Sequence, residues 1–326
     1  MNNKTLTIFI INYKIDVDVS KMYSKMIGGW IDMHNVSVDA GRSEVKTAWL
    51  DEFGAIRTAK FLSMLSDDTG TKMHRDLGNE DYRLTINGHK YFIGEIANDC
   101  GSNSRGITHD EKTHNESITM ILAGVAATKL SGNIRLGVCV PLDNHAKEAP
   151  LLKAKLEREH TIEENGIKRR VNIVEVKVSA EGLVSAFHTP KTLVDGKLVG
   201  FVNVGSFKSN IGCLNHKGKY VDNRSGSLER VGMNRVLEDG DSIESLATLI
   251  KTEMNRKLRW SEPYKDPRTK RTIPAILVVC GGAARDIAPY LSNEFSHHPY
   301  PIEIVPHEDA LFSDCIGTLK WMQKTR

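Results

Sequence analysis

From Asn35 onward the chain alternates apolar and polar positions, and the alternation predicts paired strands. Val36-Ser-Val38 has the two-residue period of a half-buried strand, Asp39-Ala-Gly41-Arg42-Ser43 supplies a turn, and Val45-Lys-Thr-Ala-Trp49 returns. Leu84-Thr-Ile86 and Tyr91-Phe-Ile93 flank Asn87-Gly88, the strongest short hairpin signal. Residues 66–80 are polar and predict a loop. Ile118, Ile121, Leu122, Val125 and Ala126 fall at helical spacing within 117–130. The apolar run 133–140, closed by Pro141, reads as a strand, and residues 149–159 as a charged helix. Residues 167–178 read as a hairpin pair with Asn165-Gly166 at the turn, and 182–187 as the start of a helix.

The second half repeats the theme. Leu198 to Val204 is a strand, Gly205-Ser206 a turn, and Ile211 to Leu214 the return. A helix over 242–258, a basic loop with prolines over 263–272, a buried strand over 273–280, Gly281-Gly282 and a last helix over 311–323 follow. Hairpin, helix and strand, occurring twice, predict a duplicated α/β unit: two lobes with mixed sheets and a cleft between them, where ligands favour binding. The expected boundaries are 34–196 for the first lobe, which also takes the C-terminal helix 311–326, and 197–310 for the second. Residues 1–33 differ, with one short apolar run, Leu6 to Ile11, and a Gly28-Gly29 pair, and read as a peripheral arm or an upstream addition.

Composition narrows the class. A chain of 326 residues exceeds the size at which one core tends to split, and 40% hydrophobic with 26% charged residues is a globular balance. A net charge of +3 gives no pull toward direct nucleic-acid binding. The five cysteines are scattered without a CxxC pair, and Cys139 and Cys280 sit inside apolar runs, which fits reduced thiols. No run reaches the ~18 apolar residues of a membrane span. The N-terminal run is too short for a secretory signal and has only Lys4 before it, so a cytoplasmic protein is expected.

Four segments carry candidate chemistry. In Asp39-Ala-Gly41-Arg42-Ser43-Glu44-Val45-Lys46 the glycine lets backbone N–H groups approach phosphate oxygens, Lys46 is a point charge for a phosphate, and Asp39 can hold Mg²⁺ through its water shell. Asn203-Val-Gly205-Ser206 repeats that arrangement at the end of an apolar strand. Gly281-Gly282-Ala283, after a buried strand, lets a flat ring and ribose lie against backbone. Glu181-Gly182, at a strand end, offers a carboxylate that can orient an attacking water. Taken singly, each is equally the signature of an ordinary turn, a tight strand-to-helix connection or a solvated glutamate. Arg42, beside the first glycine, either offsets cation charge near the phosphates or points to solvent, and solvent is the favoured reading.

In this order and spacing the segments resemble the actin fold superfamily of actin, Hsp70 and sugar kinases, and within it the bacterial plasmid-segregation actins of the ParM/StbA type. Asp39-x-Gly41 with Lys46 is similar to the first phosphate loop and Asn203-x-Gly205-Ser206 to the second. Gly137 to Pro141 and Ser313 to Gly317 resemble the two connecting segments, and Gly281-Gly282-Ala283 the adenosine motif. Tyr91-Phe-Ile-Gly94-Glu95-Ile-Ala97 resembles the YxxGExA stretch of the bacterial members, and Glu181 falls at the place of the water-positioning residue. The resemblance covers residues 34–320. It implies a two-lobed actin-like (ribonuclease H-like) fold with an inter-domain nucleotide cleft. It also implies ATP with Mg²⁺ as cofactors, ATP hydrolysis coupled to self-assembly into filaments, and a DNA-binding adaptor on a centromere-like plasmid site as partner. Asn203 departs from the aspartate that usually opens the second phosphate loop, which weakens Mg²⁺ binding through water at that position. Two other classes stay open. One is a small-molecule kinase of the same superfamily. The other is a nucleotide-gated scaffold with weak hydrolysis, in which Asn203→Asp would raise turnover. His297, His298 and His307 read as surface or loop histidines with no metal role, and the basic run 265–271 as a solvated loop or a subunit contact.

Overall fold

The computed structural model describes residues 5–10, 13–18, 33–70, 77–109 and 111–325. Chain contacts divide it into Met1–Met33 and His34–Arg326. In the first unit, β1 (Thr5–Ile10) and β2 (Tyr13–Asp18) pair antiparallel. The Gly28-Gly29 pair and residues 71–76 of the expected 66–80 loop lie outside the described residues.

The second unit holds two sheets. The strands of the first are β3 (Met33–Ala40), β4 (Glu44–Leu50), β5 (Ile56–Leu62), β6 (Met64–Asp67), β7 (Tyr82–Ile86), β8 (His89–Ile93), β9 (Ser102–Gly106), β10 (Gly132–Val140), β11 (Glu159–Glu164) and β12 (Ile167–Ala180). They lie in the order β5-β4-β3-β10-β12-β11-β7-β8-β6-β9. The second sheet is built from β13 (Leu198–Val204), β14 (Ser209–Leu214), β15 (Gly226–Leu228), β16 (Ala275–Cys280) and β17 (Ile302–Pro306), in the order β15-β14-β13-β16-β17. The run β5-β4-β3-β10-β12 and the whole second sheet have the same connectivity. Each begins with an antiparallel meander, and β10–β12 repeats the parallel pairing of β16–β17. The helices match too: Asn115–Ala127 and Ile243–Leu258 precede β10 and β16, and His145–Leu156 and Ala284–Ser296 follow them. This duplication makes the molecule two-lobed and actin-like.

Each lobe has its own core. Val36, Val38 and Ala40 on one face of β3, with Leu136 and Val138 of β10, pack under Met120, Ile121, Leu122 and Val125. Each Val, Leu, Ile or Met side chain among them contributes about 1.5–3 kcal/mol on burial. In the second lobe Val202, Leu277 and Val279 pack under Leu246, Ile250, Ile287 and Leu291. The helix Ser313–Lys324 returns to the first lobe, where Cys315, Leu319 and Met322 pack with Ala48 of β4. No helix among the described residues is long and apolar enough to cross a membrane.

Some expectations change. The charged helix begins at His145, ahead of Pro150, and ends at Leu156. Residues 167–180 are one long strand, paired antiparallel with β11 and parallel with β10, so the Asn165-Gly166 turn joins β11 to it. The expected loop at 66–80 starts two residues inside strand β6. β5 and β17 have no counterpart in the sequence reading.

Candidate functional site

The site starts with two hairpins of one design. In the first, Asp39 pairs with Lys46 and Ala40 with Val45, around Gly41-Arg42-Ser43-Glu44. In the second, Asn203 pairs with Asn210 and Val204 with Ser209, around Gly205-Ser206-Phe207-Lys208. The glycine performs the same task in both. A Cβ on Gly41 would stand 2.7 Å from the Glu44 carbonyl oxygen, and one on Gly205 would stand 2.9 Å from that of Lys208. Both turns are too tight for a side chain there, and both leave backbone exposed to the cleft.

The two turns meet tip to tip. Ser43 Oγ donates to Ser206 Oγ at 2.6 Å. The Arg42 guanidinium lies 4.5 Å from the centre of the Phe207 ring, a cation–π contact between the lobes. The expectation that Arg42 points to solvent is therefore corrected: it is half-buried, and an aromatic ring of the opposite lobe takes its face.

Behind these turns lies a cavity of about 340 Å³, the size of a small-ligand site. All twelve candidate residues lie on its wall: Asp39, Gly41, Arg42, Ser43, Lys46, Glu181, Asn203, Gly205, Ser206, Gly281, Gly282 and Ala283. Gly281 follows β16 with φ +91°, and its N–H donates to the Ala310 carbonyl at 2.9 Å. A Cβ there would come within 2.4 Å of the Val204 carbonyl oxygen and 2.8 Å of Asn203 Oδ1, so only glycine lets β16 end this close to the second hairpin. Ala283 then leads into the helix Ala284–Ser296.

Glu181 is buried at the end of β12, with its N–H on the Val140 carbonyl at 2.9 Å. Its Oε2 accepts from Asn210 Nδ2 of the second lobe at 2.7 Å, and its Oε1 stands 3.4 Å from Lys112 Nζ. Burial raises the Glu181 carboxyl above its ordinary value, against the opposing pull of Lys112.

Three residues were missed. Lys112 is buried, donates from Nζ to the Ala40 carbonyl, and lies 3.7 Å from Asp39 Oδ1. Asp314 sits in the first turn of the last helix. Its oxygens accept from the Gly182 N–H at 3.0 Å, Ser185 Oγ at 2.6 Å and Asn203 Nδ2 at 2.7 Å. Burial pushes its carboxyl up to about 7, with Asp39 and Glu181 adding to the shift and the Ser185 and Gly182 hydrogen bonds opposing it. Asn210 stands where the first hairpin has Lys46. The sequence held a usable signal only for Asp314, which follows Leu311 in the second connecting segment.

Two other places contrast with this one. A cavity of about 370 Å³, lined by Leu142, His145, Val184, Phe187, Tyr220 and Trp321 among others, is mostly apolar and has no lysine, arginine or carboxylate on its wall. His188, Glu308 and Asp309 form a cluster in which His188 Nε2 is 2.7 Å from Asp309 Oδ2, but Lys320 Nζ stands 2.6 Å from His188 Nδ1 and opposes a metal cation there. Beside it His307 stands in the loop after β17, as one of its two readings has it, but is only 3% exposed rather than at the surface.

Two sheets of one connectivity, with twin glycine turns touching across a cleft, define an actin-like fold. Residues 37–183 match the family model for the N-terminal domain of actin-like proteins. Solved structures agree on the fold. AlfA from B. subtilis plasmid pLS32, in its filament, is 20% identical, with 88% of this chain and 98% of that chain covered, at a TM-score of 0.62. The archaeal actin homologue Ta0583 in complex with ADP is 17% identical, with 89% and 99% covered, at 0.68. ParM in a 15-stranded filament from Clostridium botulinum is 14% identical, with 90% and 99% covered, at 0.66. No curated protein matches the chain.

Proposed function

We propose that this protein is a cytoplasmic actin-like ATPase that binds Mg-ATP between its lobes and assembles into filaments serving plasmid segregation. The observation that carries the reading is the pair of glycine turns in contact across one cavity, with a buried glutamate behind them. Two relatives of the same fold lend it support, an AlfA filament bound to AMPPNP and Ta0583 in complex with ADP.

The chemistry follows from the side chains. The base and ribose rest on Gly281, Gly282 and Ala283. The backbone amides of the Gly41 and Gly205 turns, with Lys46, take the phosphate oxygens and the charge that develops on them. Glu181 accepts a hydrogen bond from a water and aims it at the γ-phosphorus. The new P–O bond forms as the bond to the ADP oxygen breaks, and phosphate leaves. The donor set fits a hydrated Mg²⁺: Asp39 is a cleft-facing carboxylate, and Mg²⁺ keeps several waters and needs only one or two carboxylates plus phosphates. When bound, Mg²⁺ neutralises phosphate charge. Asn203 adds a water-bonding contact at most through Oδ1, since its Nδ2 is donated to Asp314.

Ser43–Ser206 and Arg42–Phe207 join the lobes through the phosphate turns themselves, so a triphosphate bound to both turns stabilises the closed form. Closed subunits then stack head to tail, a heterologous contact that stays open as a filament. A DNA-binding adaptor on a centromere-like site would couple the filament to plasmid DNA.

Sedimentation with ATP, with ADP and without nucleotide, alongside phosphate release, tests the proposal. ATP-dependent pelleting is expected, with release slowed at least about 100-fold in Glu181→Gln. Phosphate release without pelleting, or transfer to a sugar or acetate in a coupled assay, would favour the small-molecule kinase instead.

A further inference from the structure

The cleft holds an ammonium group that the reading above does not use. Lys112 lies in the segment between β9 and the helix Asn115–Ala127, and two contacts from the helix His145–Leu156 pin that segment. Glu148 Oε2 accepts the Lys112 N–H at 2.6 Å, and Lys155 Nζ donates to the Thr113 carbonyl at 2.6 Å. From this anchor the Lys112 side chain, 7% exposed, runs to the cavity wall. Its Nζ donates to the Ala40 carbonyl next to Gly41 and is ion-paired with Glu181 Oε1 at 3.4 Å and Asp39 Oδ1 at 3.7 Å.

A buried lysine is costly unless paired. Here the Ala40 carbonyl, Glu181 and Asp39 supply the pairing. These partners place the ammonium where the terminal phosphate is expected, between the carboxylate placed to hold a hydrated metal and the carboxylate placed to aim water. At the strand ends of the second hairpin the equivalents of Asp39 and Lys46 are the neutral pair Asn203 and Asn210, and its cation, Lys208, stands in the turn, 3.5 Å from Glu229.

Resting on the ATP reading, we propose that Lys112 is a built-in cation of the phosphate site, a ligand of the terminal phosphate that makes nucleotide binding less dependent on Mg²⁺. On nucleotide entry one Lys112 N–H moves from a carboxylate to a phosphate oxygen, and Asp39 and Glu181 remain its counter-ions. A structural role alone would change folding but not the ratio of affinities with and without metal.

The test measures ATP affinity by calorimetry, in Mg²⁺ and in EDTA. The native protein is expected to lose less than about 10-fold in affinity on chelation. Lys112→Met, in Mg²⁺, is expected to bind about 10-fold more weakly than the native protein, and in EDTA to lose about a further 100-fold, the range of one charge-assisted hydrogen bond. Because Lys112→Met leaves the buried Glu181 carboxylate beside Asp39 with no ammonium between them, the double variant Lys112→Met/Glu181→Gln serves as a better-folding second case, compared with Glu181→Gln alone. The inference is overturned if chelation costs the native protein more than about 100-fold, or if the Mg²⁺/EDTA ratio is the same with and without Lys112. Absence of ATP binding by the native protein in Mg²⁺ would overturn the ATP reading itself.

Discussion

Gly281 and Gly282 are adjacent in sequence and both line the cavity, yet the structure assigns them opposite tolerance for a methyl group. At Gly281 an alanine must adopt φ near +91°, a left-handed conformation that costs about 1–2 kcal/mol. Its Cβ also meets the Val204 carbonyl oxygen at 2.4 Å. That oxygen is backbone and cannot swing away, so relief requires β16 and β13 to separate, an overpacking cost of about 1–3 kcal/mol. Together these give about 2–5 kcal/mol. At Gly282 the φ is ordinary, and the only neighbour within 4 Å is Leu311 Cδ1 at 3.5 Å, a normal contact. Gly282→Ala should be neutral or gain up to about 1 kcal/mol from a less flexible unfolded chain. The expected result in thermal unfolding followed by circular dichroism is a Tm roughly 3–8 °C lower for Gly281→Ala and nearly native for Gly282→Ala. Gly282→Ala should still weaken ATP binding, because its methyl enters the cavity. If the two variants melt within about 2 °C of each other, the close approach of Gly281 to the second hairpin is wrong.

Two further outcomes follow from buried polar groups. Asn203→Asp sets two carboxylates 2.7 Å apart, since Asn203 Nδ2 donates to Asp314. It should cost about 1–3 kcal/mol near pH 8 in chemical denaturation, rather than simply raise turnover, and the swap Asn203→Asp/Asp314→Asn should recover most of the loss. His307 is held neutral, its pKa lowered to about 4 chiefly by burial and next by His188. The unfolded chain binds the proton first, near pH 6.5. Stability should then be unaffected above that pH and fall by about 1.4 kcal/mol per unit as pH drops toward 4, about 3 kcal/mol in all. His307→Gln should flatten that slope, as read from unfolding free energies across the range.

Residues whose partners are close in sequence were the legible ones. Both glycine turns could be read because alternation, a glycine and a polar strand end occur within eight residues of each other. Asn87 and Gly88, at φ 49° and 89°, form the turn that their types imply. β5 was not legible. It is Ile56-Arg-Thr-Ala-Lys-Phe-Leu62 at the sheet edge, with mostly exposed side chains that carry no apolar period. β17 ends in Pro306 and was hidden in a proline-rich stretch. In the site, Lys112 and Asp314 gain their meaning from partners 72 and 111 residues away, Ala40 and Asn203. No local pattern encodes that meeting. The same is true of Arg42, whose partner Phe207 is on the other lobe.

The account rests on one triphosphate being held by both glycine turns at once, and a structure of the protein with AMPPNP tests it most directly. The phosphates should accept hydrogen bonds from the backbone amides around Gly41 and around Gly205, with the adenine against Gly281–Ala283. A nucleotide bound by only one turn, or lodged in the apolar cavity beside Trp321, would contradict it.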